Sequence, residues 1–111
     1  MKRYRHPPLK SVSLLDVMQA LSDPCRVAIV KQLVEAGDVE FTCGDFDVSV
    51  CKATRSHHFQ VLREAGLVRM RSDGTRCMTS LRREEVNRRF PGLLDLVATS
   101  GGKKRSIRNA S

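Results

Sequence analysis

Apolar residues recur at helical spacing through the first two thirds of the chain and then switch to alternation near residue 67. Leu14, Leu15, Met18 and Leu21 line one face of a first helix, with Ser11 or Ser13 as its N-cap. Ser22-Asp23-Pro24 restarts the chain: a side-chain oxygen accepts free N–H groups, and proline suits a first helical turn. A second helix from Pro24 to Ala36 carries a broad stripe of Val27, Ile29, Val30, Leu33 and Val34, and Gly37 ends it. Asp38 to Asp47 shows no clean period and reads either as a short helix around Cys43 to Phe46 or as loop. A third helix, about Lys52 to Ala65, is anchored by Phe59 and Leu62 and stops at Gly66. Leu67 to Arg71 alternates like an edge strand, Asp73-Gly74 signals a tight hairpin, and Arg76 to Leu81 returns. A last helix runs from Leu81 or Arg82 to about Phe90. Pro91 either kinks it or separates it from Gly92 to Ala98.

This order divides the chain into a flexible basic arm (1–10), one domain (11–98) and a basic disordered tail (99–111). The expected fold class is mainly α with a β-hairpin wing. Three helices followed by a hairpin make a winged helix-turn-helix pattern.

Charge narrows the partners. Lys and Arg number 20 against 12 Asp and Glu, a formal net charge of +8. Such a surface attracts polyanions, so DNA, RNA and acidic membrane are all compatible with charge alone. No apolar run reaches membrane-spanning length, and the basic start lacks an export signal, so a cytoplasmic location is expected. Cys25, Cys43, Cys51 and Cys77 form no CxxC pair, and free thiols are the expectation in a reducing compartment.

The stretch from Val50 to Val68 carries the chemistry. Thr54 and Ser56 are short enough to approach bases or phosphates closely. Arg55, His57 and Gln60 have the reach for base edges or backbone. Lys52 and Arg63 suit phosphate. Arg69, Arg71 and Arg76 flank the hairpin turn and offer a second electrostatic clamp on the phosphate backbone or in a narrow minor groove. Nothing comparable points to catalysis. There is no phosphate-gripping glycine motif, no Ser-His-Asp signal and no zinc-hydrolase pattern, and His57 and His58 point in different directions on a helix. No enzyme activity and no cofactor are expected.

Several strings together resemble the ArsR/SmtB family of bacterial transcriptional repressors. They are Ala20-Leu21-Ser22-Asp23-Pro24-Cys25-Arg26, Thr54-Arg55-Ser56-His57-His58-Phe59, Leu62-Arg63-Glu64-Ala65-Gly66-Leu67-Val68 and Asp73-Gly74-Thr75-Arg76. The likeness spans about Leu14 to Val97. It implies that Ser56 and His57 belong to a DNA surface and that His58 packs inward. Arg55 stands where the family commonly has a small apolar residue, as an added DNA contact or as a stem packed over the core.

Terminal helices with apolar residues beyond the needs of a small core suggest a homodimer on an inverted repeat of double-stranded DNA. Leu14, Leu15 and Met18 are expected to meet Leu93, Leu94 and Val97, partly across chains, and the resemblance implies the same interface. The family's familiar thiol metal site is incomplete here. Cys43 is present, but Thr42 and Gly44 stand at the usual cysteine positions, and no histidine follows His58. No metal site is therefore assigned. Cys43 and Cys51 flank the entry to the third helix and form a candidate redox switch. The expected function is a sequence-specific DNA-binding repressor released by a signal, thiol oxidation being one candidate. The alternatives are a metal- or small-molecule-responsive repressor of the same fold, or a non-specific architectural nucleic-acid-binding protein.

Overall fold

A computed structural model describes residues 4–42 and 55–100. The expected helix starts are built as the side chains dictate. Ser13 Oγ accepts the Asp16 N–H at 3.0 Å, and the Asp16 carboxylate accepts the Ser13 N–H at 3.1 Å, a reciprocal box that opens α1 (Leu14–Ala20). Asp23 accepts the Cys25 N–H at 2.8 Å and, with Pro24 in the first turn, opens α2 (Pro24–Ala36). Ile29, Val30 and Leu33 on α2 are fully buried and form the centre of the core with Phe59, Leu62, Leu67, Val68 and Val86.

α1 turns a narrow apolar stripe to the core and a wider one outward. Val17 and Ala20 are buried, whereas Leu14, Leu15 and Met18 are 53%, 68% and 58% exposed. Seven residues of mixed apolar character offer two possible stripes, and the core takes the narrower one.

A short strand, β1 (Phe41–Thr42), lies in the stretch that showed no period. The third helix, α3, is described as Arg55–Glu64. Lys52 and Thr54 lie outside the described residues, as do Cys43 and Cys51. Gly66 ends the helix at φ 79°, and an added Cβ there would come within 3.2 Å of Leu9 and Val12 side-chain carbons. The hairpin follows as β2 (Val68–Asp73) and β3 (Arg76–Leu81), paired antiparallel with Asp73 opposite Arg76. β1 adds to the far side of β3, so the sheet order is β1-β3-β2.

The C-terminal part forms two helices. α4 (Arg83–Arg89) starts later than expected because β3 runs to Leu81, and α5 (Leu93–Thr99) follows Phe90-Pro91-Gly92. Arg83 of α4 donates to the Leu33 and Val34 carbonyls at 3.4 and 3.2 Å, satisfying acceptors left open at the end of α2. α5 also packs on α2. Leu94 and Val97 are 2% and 6% exposed within this single chain and pack in its core. Leu96 is the exposed apolar residue of α5, at 68%, and Leu93 is half-buried.

Residues 4–10, expected as a flexible arm, lie against the domain. A 3₁₀ turn at Leu9–Ser11 buries Leu9, and Val12 is buried beside it. Arg89 donates to the carbonyls of Leu9 at 3.2 Å and Val12 at 2.9 Å. Arg82, itself buried, donates to the Pro7 carbonyl at 2.8 Å. The segment is tied down by backbone acceptors that sequence periodicity does not reveal. The molecule is thus mainly helical with a small hairpin sheet. Among the described residues no helix is long and apolar enough to cross a membrane.

Candidate nucleic-acid interface

α3 presents two faces. Phe59 and Leu62 are 2% and 0% exposed and fix its underside to the core. Ser56, His57 and Gln60 are exposed on the other side, and Arg55 is half-buried at the start. Gln60 Nε2 donates to Glu64 Oε2 at 3.1 Å, one helical turn on. The exposed group therefore combines a hydroxyl, an imidazole and an amide on a helix that its greasy side holds rigid.

His58 is buried, as the resemblance implied. Its Nδ1 lies 3.0 Å from Arg26 Nη1, while Arg26 Nε donates to the Ala20 carbonyl at 2.6 Å. With arginine always the donor, His58 Nδ1 is the acceptor. One guanidinium thereby joins the end of α1, the first turn of α2 and the middle of α3. Asp23, Cys25 and His58 also offer ligand atoms within 4.8 Å of one another. Asp23 is already capping α2, Arg26 places a positive charge against His58, and Cys25 is disulfide-bonded. That bond corrects the expectation of a free core thiol at Cys25. Cys77 is a free thiol, and the Tyr4 hydroxyl donates to its Sγ at 3.3 Å.

Arg63 is less available than its sequence position suggests. Its Nη1 donates to the Arg5 carbonyl at 2.9 Å, its guanidinium sits 5.4 Å over the Tyr4 ring, and its Nε is buried without an acceptor. The N-terminal segment holds it.

The three hairpin arginines are exposed, and each is paired with an acid. Arg76 meets Asp73 across the turn at 3.1 Å. Arg69 meets Glu85 at 3.0 Å. Arg71 makes two bonds to Glu40, at 2.6 and 2.7 Å. The Arg82 guanidinium, bonded to Glu85 at 2.8 and 3.1 Å, drives the Glu85 carboxyl down to about 2, with Arg69 helping. The hydrogen bonds from Arg71 likewise hold the Glu40 carboxyl below its ordinary value.

Sequence reasoning missed Glu40, Glu85, His6 and Tyr4. Glu40, His6 and Tyr4 act on partners 31 to 73 residues away, which no local pattern marks, while Glu85 joins its near neighbour Arg82 to Arg69, 16 residues back.

No protein-family model matches the chain. The uncharacterized HTH-type transcriptional regulator YceK of Bacillus subtilis is 38% identical over 83 residues, covering 73% of this chain and 82% of that protein. An uncharacterized HTH-type transcriptional regulator of Methanocaldococcus jannaschii is 36% identical over 61 residues, covering 54% of this chain and 67% of that protein. Both are named as regulators rather than enzymes, which agrees with the non-catalytic reading of the sequence.

Proposed function

The chain belongs to the HTH-type transcriptional regulators, and on that premise we propose a sequence-specific repressor of the ArsR/SmtB type that binds an inverted-repeat operator as a homodimer. The observation that carries the reading is the split character of α3. Ser56, His57 and Gln60 face solvent while Phe59 and Leu62 lock the opposite side. A helix of this kind fits the major groove, where its polar side chains meet base edges. Arg55, with Lys52 and Thr54 beyond the described part of α3, extends the same surface in sequence. Arg69, Arg71 and Arg76 supply phosphate contacts from the hairpin. Arg63 contributes a backbone contact only by giving up its hold on the N-terminal segment.

The dimer reading rests on Leu14, Leu15 and Met18 of α1 together with Leu93 and Leu96 of α5, whose exposure would leave apolar surface in water. Residues 11–98 form the DNA-binding and dimerisation domain in this reading, and 99–111 a basic tail.

For release we propose thiol oxidation through Cys43 and Cys51, supported by their places on either side of the entry to α3. The disulfide at Cys25 adds a third sulfur that a test must cover.

Fluorescence anisotropy tests the main reading. A duplex recovered by genomic selection should bind at least about 100-fold more tightly than random duplex or RNA at moderate salt. Equal affinity for all three would leave only a non-specific architectural binder. Peroxide-treated protein should lose operator affinity, and Cys43→Ser, Cys51→Ser and Cys25→Ser assign the loss. Loss that survives all three substitutions rejects the thiol switch.

A further inference from the structure

Among the hairpin arginines, Arg71 has the most complete partner. Its Nε donates to Glu40 Oε2 and its Nη2 to Glu40 Oε1, at 2.7 and 2.6 Å. This is the fork geometry in which a guanidinium also grips phosphate. Arg76 and Arg69 each make a single contact with their acids, at 3.1 and 3.0 Å.

The register explains how two distant residues meet. Thr42 on β1 pairs with Met78 on β3, and Met78 pairs with Arg71 on β2. Strand side chains alternate, so Glu40, two residues before Thr42, shares the face of Arg71. That is the solvent face of β2: Arg69 and Arg71 are exposed, while Met70 between them is buried. The two long side chains reach each other over β3. Their side chains remain 53% and 35% exposed, so the pair is open to water and to a competing anion.

We propose that Glu40 restrains DNA binding: its carboxylate occupies the Arg71 guanidinium in the free protein, and a DNA phosphate must displace it. This rests on the reading of the hairpin as a phosphate-contacting wing. Exposed ion pairs contribute little net free energy, so the exchange is cheap, and Arg71 arrives already extended in a phosphate-binding geometry. The carboxylate lowers affinity for any duplex because it competes for the same two N–H groups and stands near the DNA backbone.

The test is duplex binding by anisotropy over a salt series. Glu40→Gln should bind duplex about 3- to 5-fold more tightly than wild type, the range an exposed ion pair spans. Its plot of log affinity against log salt should steepen, by at most about 0.9, as Arg71 then meets phosphate with no unpaired carboxylate beside it. Glu35→Gln removes the same charge from an exposed site on α2 and should change affinity by no more than about 1.5-fold. In an Arg71→Ala background the Glu40→Gln gain should vanish. Melting temperatures confirm that each variant folds. Unchanged or weaker binding by Glu40→Gln overturns the proposal, as does a gain that persists without Arg71. If Arg71→Ala weakens binding but Glu40→Gln gives no gain, the role of Glu40 alone fails. If Arg71→Ala binds like wild type, the wing contact fails with it.

Discussion

His6 Nε2 accepts the backbone N–H of Met70 at 2.9 Å, so a side chain from the N-terminal segment closes a hydrogen bond on the outer edge of the hairpin. β2 is an edge strand, and an open donor there invites pairing with another chain. The bond requires His6 to be neutral at Nε2. Burial holds its pKa below the ordinary 6.5, reinforced by Arg82, Arg69 and Arg63 and opposed by Glu85.

Acid should therefore loosen this segment before it touches the carboxylates. With the folded pKa below 6.5, the unfolded chain takes the proton first. The His6 contribution is complete above 6.5 and is lost as pH falls through the folded value. Wild type and His6→Ala should differ in melting temperature at pH 7.5 and converge toward pH 5. Hydrogen exchange at the Met70 amide should accelerate over the same range. A constant difference between the two proteins across that range contradicts this account.

Glu85 sets a second, lower window. Its carboxyl is held near 2 in the folded protein, so its contribution is full above about 4.5 and disappears as pH drops toward 2. Arg82→Ala leaves Glu85 with only Arg69 and strands the Pro7 carbonyl. The Arg82 side chain is 4% exposed while Glu85 is 37% exposed and keeps Arg69, so its loss should cost about 1–2 kcal/mol in urea denaturation.

His57→Ala separates binding from folding. The side chain is exposed on α3, so stability should stay within about 0.5 kcal/mol of wild type. Operator affinity should fall about 10-fold, the usual scale for one base-edge contact. Anisotropy and thermal melting on the same preparations decide it.

Leu15→Asp places a charge on the most exposed apolar position of α1. It should turn a dimer into a folded monomer in sedimentation velocity and weaken operator binding at least about 10-fold. A substituted protein that still sediments as a dimer moves the interface elsewhere.

Local chemistry made much of this fold legible. Ser13 with Asp16, Asp23 with Pro24, Gly66 and Asp73-Gly74 mark their elements because caps and turns are decided within a few residues. Phe59 and Leu62 likewise announced the buried side of α3, and with it the polar face. Periodicity was less informative where two stripes share a short helix, as on α1, where Val17 and Ala20 face the core beside the exposed Leu14, Leu15 and Met18. On α5 it marked apolar residues without dividing them between the core, where Leu94 and Val97 lie, and the surface, where Leu96 lies. The contacts of the N-terminal segment were not legible, because they run from Arg82 and Arg89 to backbone carbonyls, which composition cannot show.

Arg26 has a wider consequence. The Ala20 carbonyl and the His58 ring hang on the same guanidinium, so turning the helix with the exposed leucines against the helix with the exposed serine and histidine strains or breaks one of these two bonds. A single planar cation thereby stands between the two surfaces as their shared hinge pin.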